Sequence, residues 1–175
     1  MTLVVLSTAL IVGAVYLAVD RLHAKASDAV EHPGPPATDA QTQTEVVERA
    51  RDIVVIAELR RPTASYLLMS CKNRDAPPYQ GAVYLDFQLP TDIDVGQYFR
   101  GVAAALVSRG WREGPPPNQH LFGVNLSTDG VNAILYRDRD THGVARIYGQ
   151  CRDVTDHRAV KPDWVDVTDR LRAAR

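Results

Sequence analysis

"AVYLDFQL", residues 82–89, alternates without interruption. Val83, Leu85, Phe87 and Leu89 fall on one side, and Tyr84, Asp86 and Gln88 on the other. Side chains of a strand repeat every two residues, so this stretch buries one face and leaves the other open to solvent. An antiparallel sheet covered on one side has that signature.

The segments around it complete the pattern. Pro90 ends the strand, and Thr91 or Asp92 caps a helix beginning near Ile93. Val95, Phe99, Val102, Ala103, Leu106 and Val107 form one apolar stripe, Arg109 lies in the last turn, and Gly110 is suited to the position just past the helix. Trp111 is expected under the helix end, before the stiff loop "EGPPP". Beyond it, 121–127, 131–137 and 144–151 read as three strands. Asp129-Gly130 is a hairpin signal between the first two, and "RDRDTHG" makes a longer second turn.

Upstream, "SYLLMSC" (65–71) reads as a strand and "KNRDAPPYQG" as a loop. A helix is expected over 44–61: Thr42 and Glu45 have capping-box spacing, Val46, Val47, Ala50, Ile53, Val54 and Ala57 recur helically, and Pro62 stops the run. "IVVI" within it is β-branched, so a strand at its centre competes. A short helix from about 166 is expected in the polar tail. The order is α-β-β-α-β-β-β: an α+β domain with an antiparallel sheet of about five strands and helices on one face. No internal repeat is present.

The first 19 residues, "MTLVVLSTALIVGAVYLAV", carry no charged side chain before Asp20. As a helix they would span roughly 28 Å, the thickness of a bilayer's hydrocarbon core. They are read as a transmembrane anchor. Ala24-Lys25-Ala26 resembles a signal-peptidase site, but nothing basic precedes the apolar run, which favours an uncleaved signal-anchor. No cysteine lies just after the run, so lipid attachment there is not expected. Ala9 and Gly13 have the small-xxx-small spacing of close helix–helix contact, through which the anchor could self-associate or dock on a membrane-protein partner. Residues 20–41, with "EHPGPPATDAQTQT", form a Pro-rich stalk, and 42–175 form the domain.

Twenty basic residues oppose 21 acidic ones, for a net charge of −1. No basic stripe calls for nucleic acid. Arg supplies all but three of the basic residues (Lys25, Lys72, Lys161), which points to a GC-rich bacterial genome.

The chain has two cysteines, Cys71 and Cys151. They could be a nucleophile, metal ligands, inert buried thiols or a disulfide. No cysteine-enzyme signature surrounds either, and ligands normally come in close pairs, not 80 residues apart. Each ends a predicted strand, so a disulfide between adjacent strand ends is preferred. Such bonds persist in oxidising compartments. That places the domain outside the cytoplasm, although Arg21 and Lys25 weakly favour the opposite orientation.

"YRDRDTH" (136–142) brings together Asp138, Asp140 and His142, and "CRDVTDHR" (151–158) brings together Asp153, Asp156 and His157. Both read as polar, solvated segments. No metal, cofactor or phosphate motif occurs. Asn125-Leu126-Ser127 is a glycosylation sequon in form only, since it falls within a strand. The expectation is a single-pass, membrane-anchored envelope protein acting as a non-enzymatic accessory or binding module. The alternatives are a structural subunit docking by its transmembrane helix, or an envelope enzyme drawing acid–base groups from 138–142 and 153–157.

Overall fold

The computed structural model describes residues 34–72, 76–159 and 163–172. The expected anchor at 1–19, with Ala9 and Gly13, and the stalk up to residue 33 lie outside the described residues. Among the described residues no helix is long and apolar enough to cross a membrane.

Residues 36–175 form one compact unit. Its elements are α1 (Asp39–Ile56), β1 (Arg60–Ser70), β2 (Tyr79–Gln88), α2 (Val95–Val107), β3 (Arg112–Glu113), β4 (Val124–Thr128), β5 (Val131–Arg139), β6 (His142–Tyr148), β7 (Val165–Asp166) and a 3₁₀ turn (Thr168–Leu171). The strands form one sheet in the order β3-β4-β5-β6-β2-β1-β7, and every pairing is antiparallel. The five long strands match the expected number. Two two-residue strands extend the edges; they are too short to show a period.

The alternation of β2 decides the layering. Val83, Leu85, Phe87 and Leu89 are buried, and the register places Ala145 and Ala64 against Leu85. Ile147, Ala133, Leu135, Leu126 and Val124 continue the same face across β6, β5 and β4. Helix α1 covers β1, β2 and β6, and α2 covers β4 and β5. Close approach of α1 requires glycine at 81, because a Cβ there would lie 2.8 Å from the Thr42 carbonyl oxygen. Asp129 and Gly130 both take positive φ (46° and 79°), the two-residue turn that matches strand twist.

Helix α1 differs from its expected bounds of 44–61. It starts at Asp39, three residues inside the expected stalk, and ends at Ile56. The capping box is Thr38 with Gln41, not Thr42 with Glu45. Thr42 is instead fully buried within the helix and donates to the Asp39 carbonyl. Arg60 and Arg61 belong to β1, where a register irregularity between Arg60 and Thr63 accommodates Pro62. Helix α2 begins two residues later than expected, capped by Asp94, whose carboxylate accepts from the Gln97 amide at 2.7 Å. Trp111 is buried beneath its end, as expected. The β5–β6 connection is only Asp140-Thr141, so most of "RDRDTHG" is strand and not turn.

Cys71 and Cys151 form a disulfide with Cα atoms 6.1 Å apart. The strands they follow are not adjacent, contrary to expectation: β1 and β6 flank β2. The chain leaving β6 crosses the start of β2, where the Tyr79 and Asp153 backbones exchange hydrogen bonds. The Cys71 amide donates to the Pro78 carbonyl on the other side. The bond therefore spans the entry of β2. The cysteines are 80 residues apart in sequence. Closing so long a loop stabilises a fold by about 4–5 kcal/mol in the chain-entropy account. Urea unfolding of the Cys71→Ser/Cys151→Ser double variant is expected to show a loss of that order; a loss below ~1 kcal/mol would contradict it.

Candidate functional site

Because Val83, Leu85, Ala145, Ile147, Ala133 and Leu135 point at the helices, their strand neighbours point away from them. On that open face Tyr84 of β2 lies opposite Arg146 of β6, and Arg146 lies opposite Ile134 of β5. Tyr148 and Tyr136 flank this row on their own strands. The Arg146 guanidinium sits 5.1 Å from the Tyr84 ring centroid and 5.8 Å from that of Tyr136. Tyr84 meets Tyr148 edge-on at 6.4 Å.

Two loops complete the cluster. The 114–123 loop delivers His120, stacked on Tyr136 at 3.5 Å and 10°. The chain beyond Cys151 delivers Trp164, edge-on to Tyr84 at 4.8 Å. Pairing of Val165 with Tyr66 at the sheet edge fixes the approach of Trp164. Trp164 remains 49% exposed. Arg146 is exposed too, held between rings without being covered.

The electrostatics follow from this packing. Burial opposes the charge of Arg146, and the oxygens of Tyr136, Tyr84 and Tyr148 outweigh it, holding the guanidinium above its ordinary pKa. Among the described residues no carboxylate pairs with Arg146; its polar contacts are phenols. The Tyr148 phenol is pushed up to about 12, chiefly by burial and then by its hydrogen bond with Tyr84. Burial also raises Tyr136, against the pull of Arg146. The result is one unpaired cation framed by flat rings and hydroxyls. The chemistry of such a surface suits an anionic group and an apolar face that can stack.

The two acidic segments singled out by sequence do not converge. Asp138, Asp140 and His142 sit at the β5–β6 turn, where Asp138 pairs with Arg139 at 3.1 Å. Asp153, Asp156 and His157 lie beyond the far end of β6, roughly 20 Å away along a seven-residue strand. Asp156 is exposed, and hydrogen bonds from Arg158 lower its carboxyl to about 2. Asp153 is not the solvated strand exit expected: it is fully buried, accepts from the Thr155 amide, and accepts from His157 Nε2 at 2.8 Å. It fastens the exit loop beside the disulfide. Among the described residues no group of three metal-ligating side chains assembles.

Sequence reasoning did not single out Arg146 and its rings. The available signal was the second face of the alternation: Tyr84, Arg146 and Tyr148 are large and ring-bearing or cationic, where a merely solvated face needs only short polar side chains.

A family model described as "Putative lipoprotein LppJ" matches residues 38–170. Proteins named "Putative lipoprotein LppJ" from Mycobacterium tuberculosis and Mycobacterium bovis are each 42% identical to this chain over 123 residues. The match covers 70% of this chain and 65% of each relative, so the chain spans a little less than two thirds of the curated relatives' length. No solved structure matches it.

The raised phenols carry a pH signature. A phenol whose pKa is higher in the folded state favours folding in its neutral form. The stability it contributes is whole below its ordinary pKa of 10.0 and is lost as pH rises through about 12. Absorbance titration at alkaline pH should show the Tyr148 phenol ionising in that upper window together with loss of fold, and Tyr148→Phe should remove one late-ionising group. Ionisation of every phenol near pH 10 with the fold intact would contradict this.

Proposed function

The chain belongs to the LppJ family, and from that membership we propose that it is a tethered recognition domain of the cell envelope, non-enzymatic, with the open sheet face as its binding surface. The lipoprotein name of the relatives supports the envelope location. The disulfide supports an oxidising compartment, hence a domain outside the cytoplasm. Both cysteines of the 175-residue sequence are in that disulfide, so neither offers a thiol for lipid attachment. The apolar segment 1–19 supports reading the tether as a single membrane span, whereas the relatives' name denotes a lipid.

The observation that carries the recognition reading is Arg146. A cation on a central strand, among rings and without a carboxylate partner among the described residues, supports a surface that takes an anionic group. Against an enzyme stands the separation of the two acid–base segments, since catalytic groups must reach one substrate.

Topology and tether are tested together in intact cells. A membrane-impermeant maleimide should label the protein only after reductant, and an alkyne-tagged fatty acid should not label it at all. Labelling without reductant, labelling only after lysis, or fatty-acid incorporation would each overturn part of the proposal. The surface is tested by a photo-cross-linking residue at Trp164 against one at Val107, which is exposed on α2. Adducts from position 164, lost with Arg146→Gln, are expected; equal yields from both positions would remove the assignment.

A further inference from the structure

We infer that the open sheet face binds a saccharide carrying a single carboxylate, with Arg146 taking the carboxylate and the rings of Tyr84 and Trp164 stacking on the sugar. This rests on reading that face as the recognition surface and goes on to name its ligand.

The charge comes first. A guanidinium presents parallel N–H donors whose geometry matches a carboxylate. The phenols around Arg146 hold its charge without neutralising it. Carboxylates lie around it: Asp86 is exposed on the same face of β2, Asp138 lies close enough to Tyr136 to raise its phenol, and Asp163 precedes Trp164. A polyanion such as a nucleic acid needs several phosphate-neutralising cations and would be repelled here. A single anionic group fits.

The shape comes next. Arg146 lies on β6, which is paired on both sides, as are β2 and β5. Their backbone N–H and C=O groups are used within the sheet. A peptide recognised by strand addition needs a free edge, and this surface is not one. Only side chains are offered, and they alternate flat apolar rings with hydroxyls. A pyranose has the matching pattern: C–H faces to lie on rings and hydroxyls to exchange hydrogen bonds with Tyr84 and Tyr148. Trp164 and His120, brought in by separate loops, bound the surface at its two ends.

The test compares cellobiouronic acid with cellobiose, which differ by one carboxylate. Binding to the full chain in mild detergent is measured by saturation-transfer NMR. The acid should bind at least tenfold more tightly, and the sugar C–H protons should receive the saturation. Arg146→Gln should abolish the difference between the two sugars, and Trp164→Ala should weaken both. Thermal unfolding verifies that each variant keeps its fold; if Arg146→Gln does not, Arg146→Lys, which keeps the charge but lacks the paired N–H donors, should reduce the preference for the acid. Equal affinity for the two disaccharides, or a preference that survives Arg146→Gln, overturns the proposal. So does a hexapeptide with a free terminal carboxylate that binds where both sugars fail. If the sugars fail while cross-linking at Trp164 persists, the ligand class is wrong and the surface stands. If both fail, the surface falls too.

Discussion

The contact between β2 and α1 organises the molecule. β2 is the strand that both β1 and β6 pair with, and α1 lies along it at the glycine-permitted approach over residue 81. Once Val83, Leu85 and Phe87 are committed to that side, the period of two sends Tyr84 and Asp86 to the other. Both helices are used on one layer. The same constraint that builds the core therefore leaves, among the described residues, a broad sheet face with no helix on it.

Much of this could be read along the chain where the signal is local. The alternation at 82–89, the stripe of α2 and the Asp129-Gly130 turn are short-range patterns, and the structure realises each of them. The bounds of α1 could not be read so well, because the chain offers two capping boxes one turn apart. Thr38-Gln41 and Thr42-Glu45 both have the spacing, and the buried stripe from Val46 to Val54 serves either frame. Thr42 is claimed by the core, where its hydroxyl also lies 3.4 Å from that of Tyr66, a contact 24 residues away in sequence. Only tertiary structure could decide.

The candidate site was illegible for a related reason. Tyr84, His120, Tyr136, Arg146 and Trp164 come from five separate segments, and no spacing links them. What brings them together is strand register and two loops, one steered by the short edge pairing of β7. Cys71 and Cys151 were equally distant, yet their chemistry narrows the choices for any pair of cysteines. Aromatic and arginine side chains carry no such restriction.

The disulfide also fixes how the domain would bear mechanical load. Were a ligand held at Arg146 and the chain tethered ahead of α1, the ligand would pull on β6 and the tether at the start of α1. The covalent route between them runs from Thr38 through α1 and β1 to Cys71, across the sulfur bridge to Cys151, and back a few residues to Arg146. β2, α2, β3, β4 and β5 lie on the bypassed loop and carry none of the chain tension once the bond is closed. Under such a load force would first test the seating of α1 and the zipper between β1 and β2, so the bridge would shield the open sheet face and leave the N-terminal end of the domain as the part that yields.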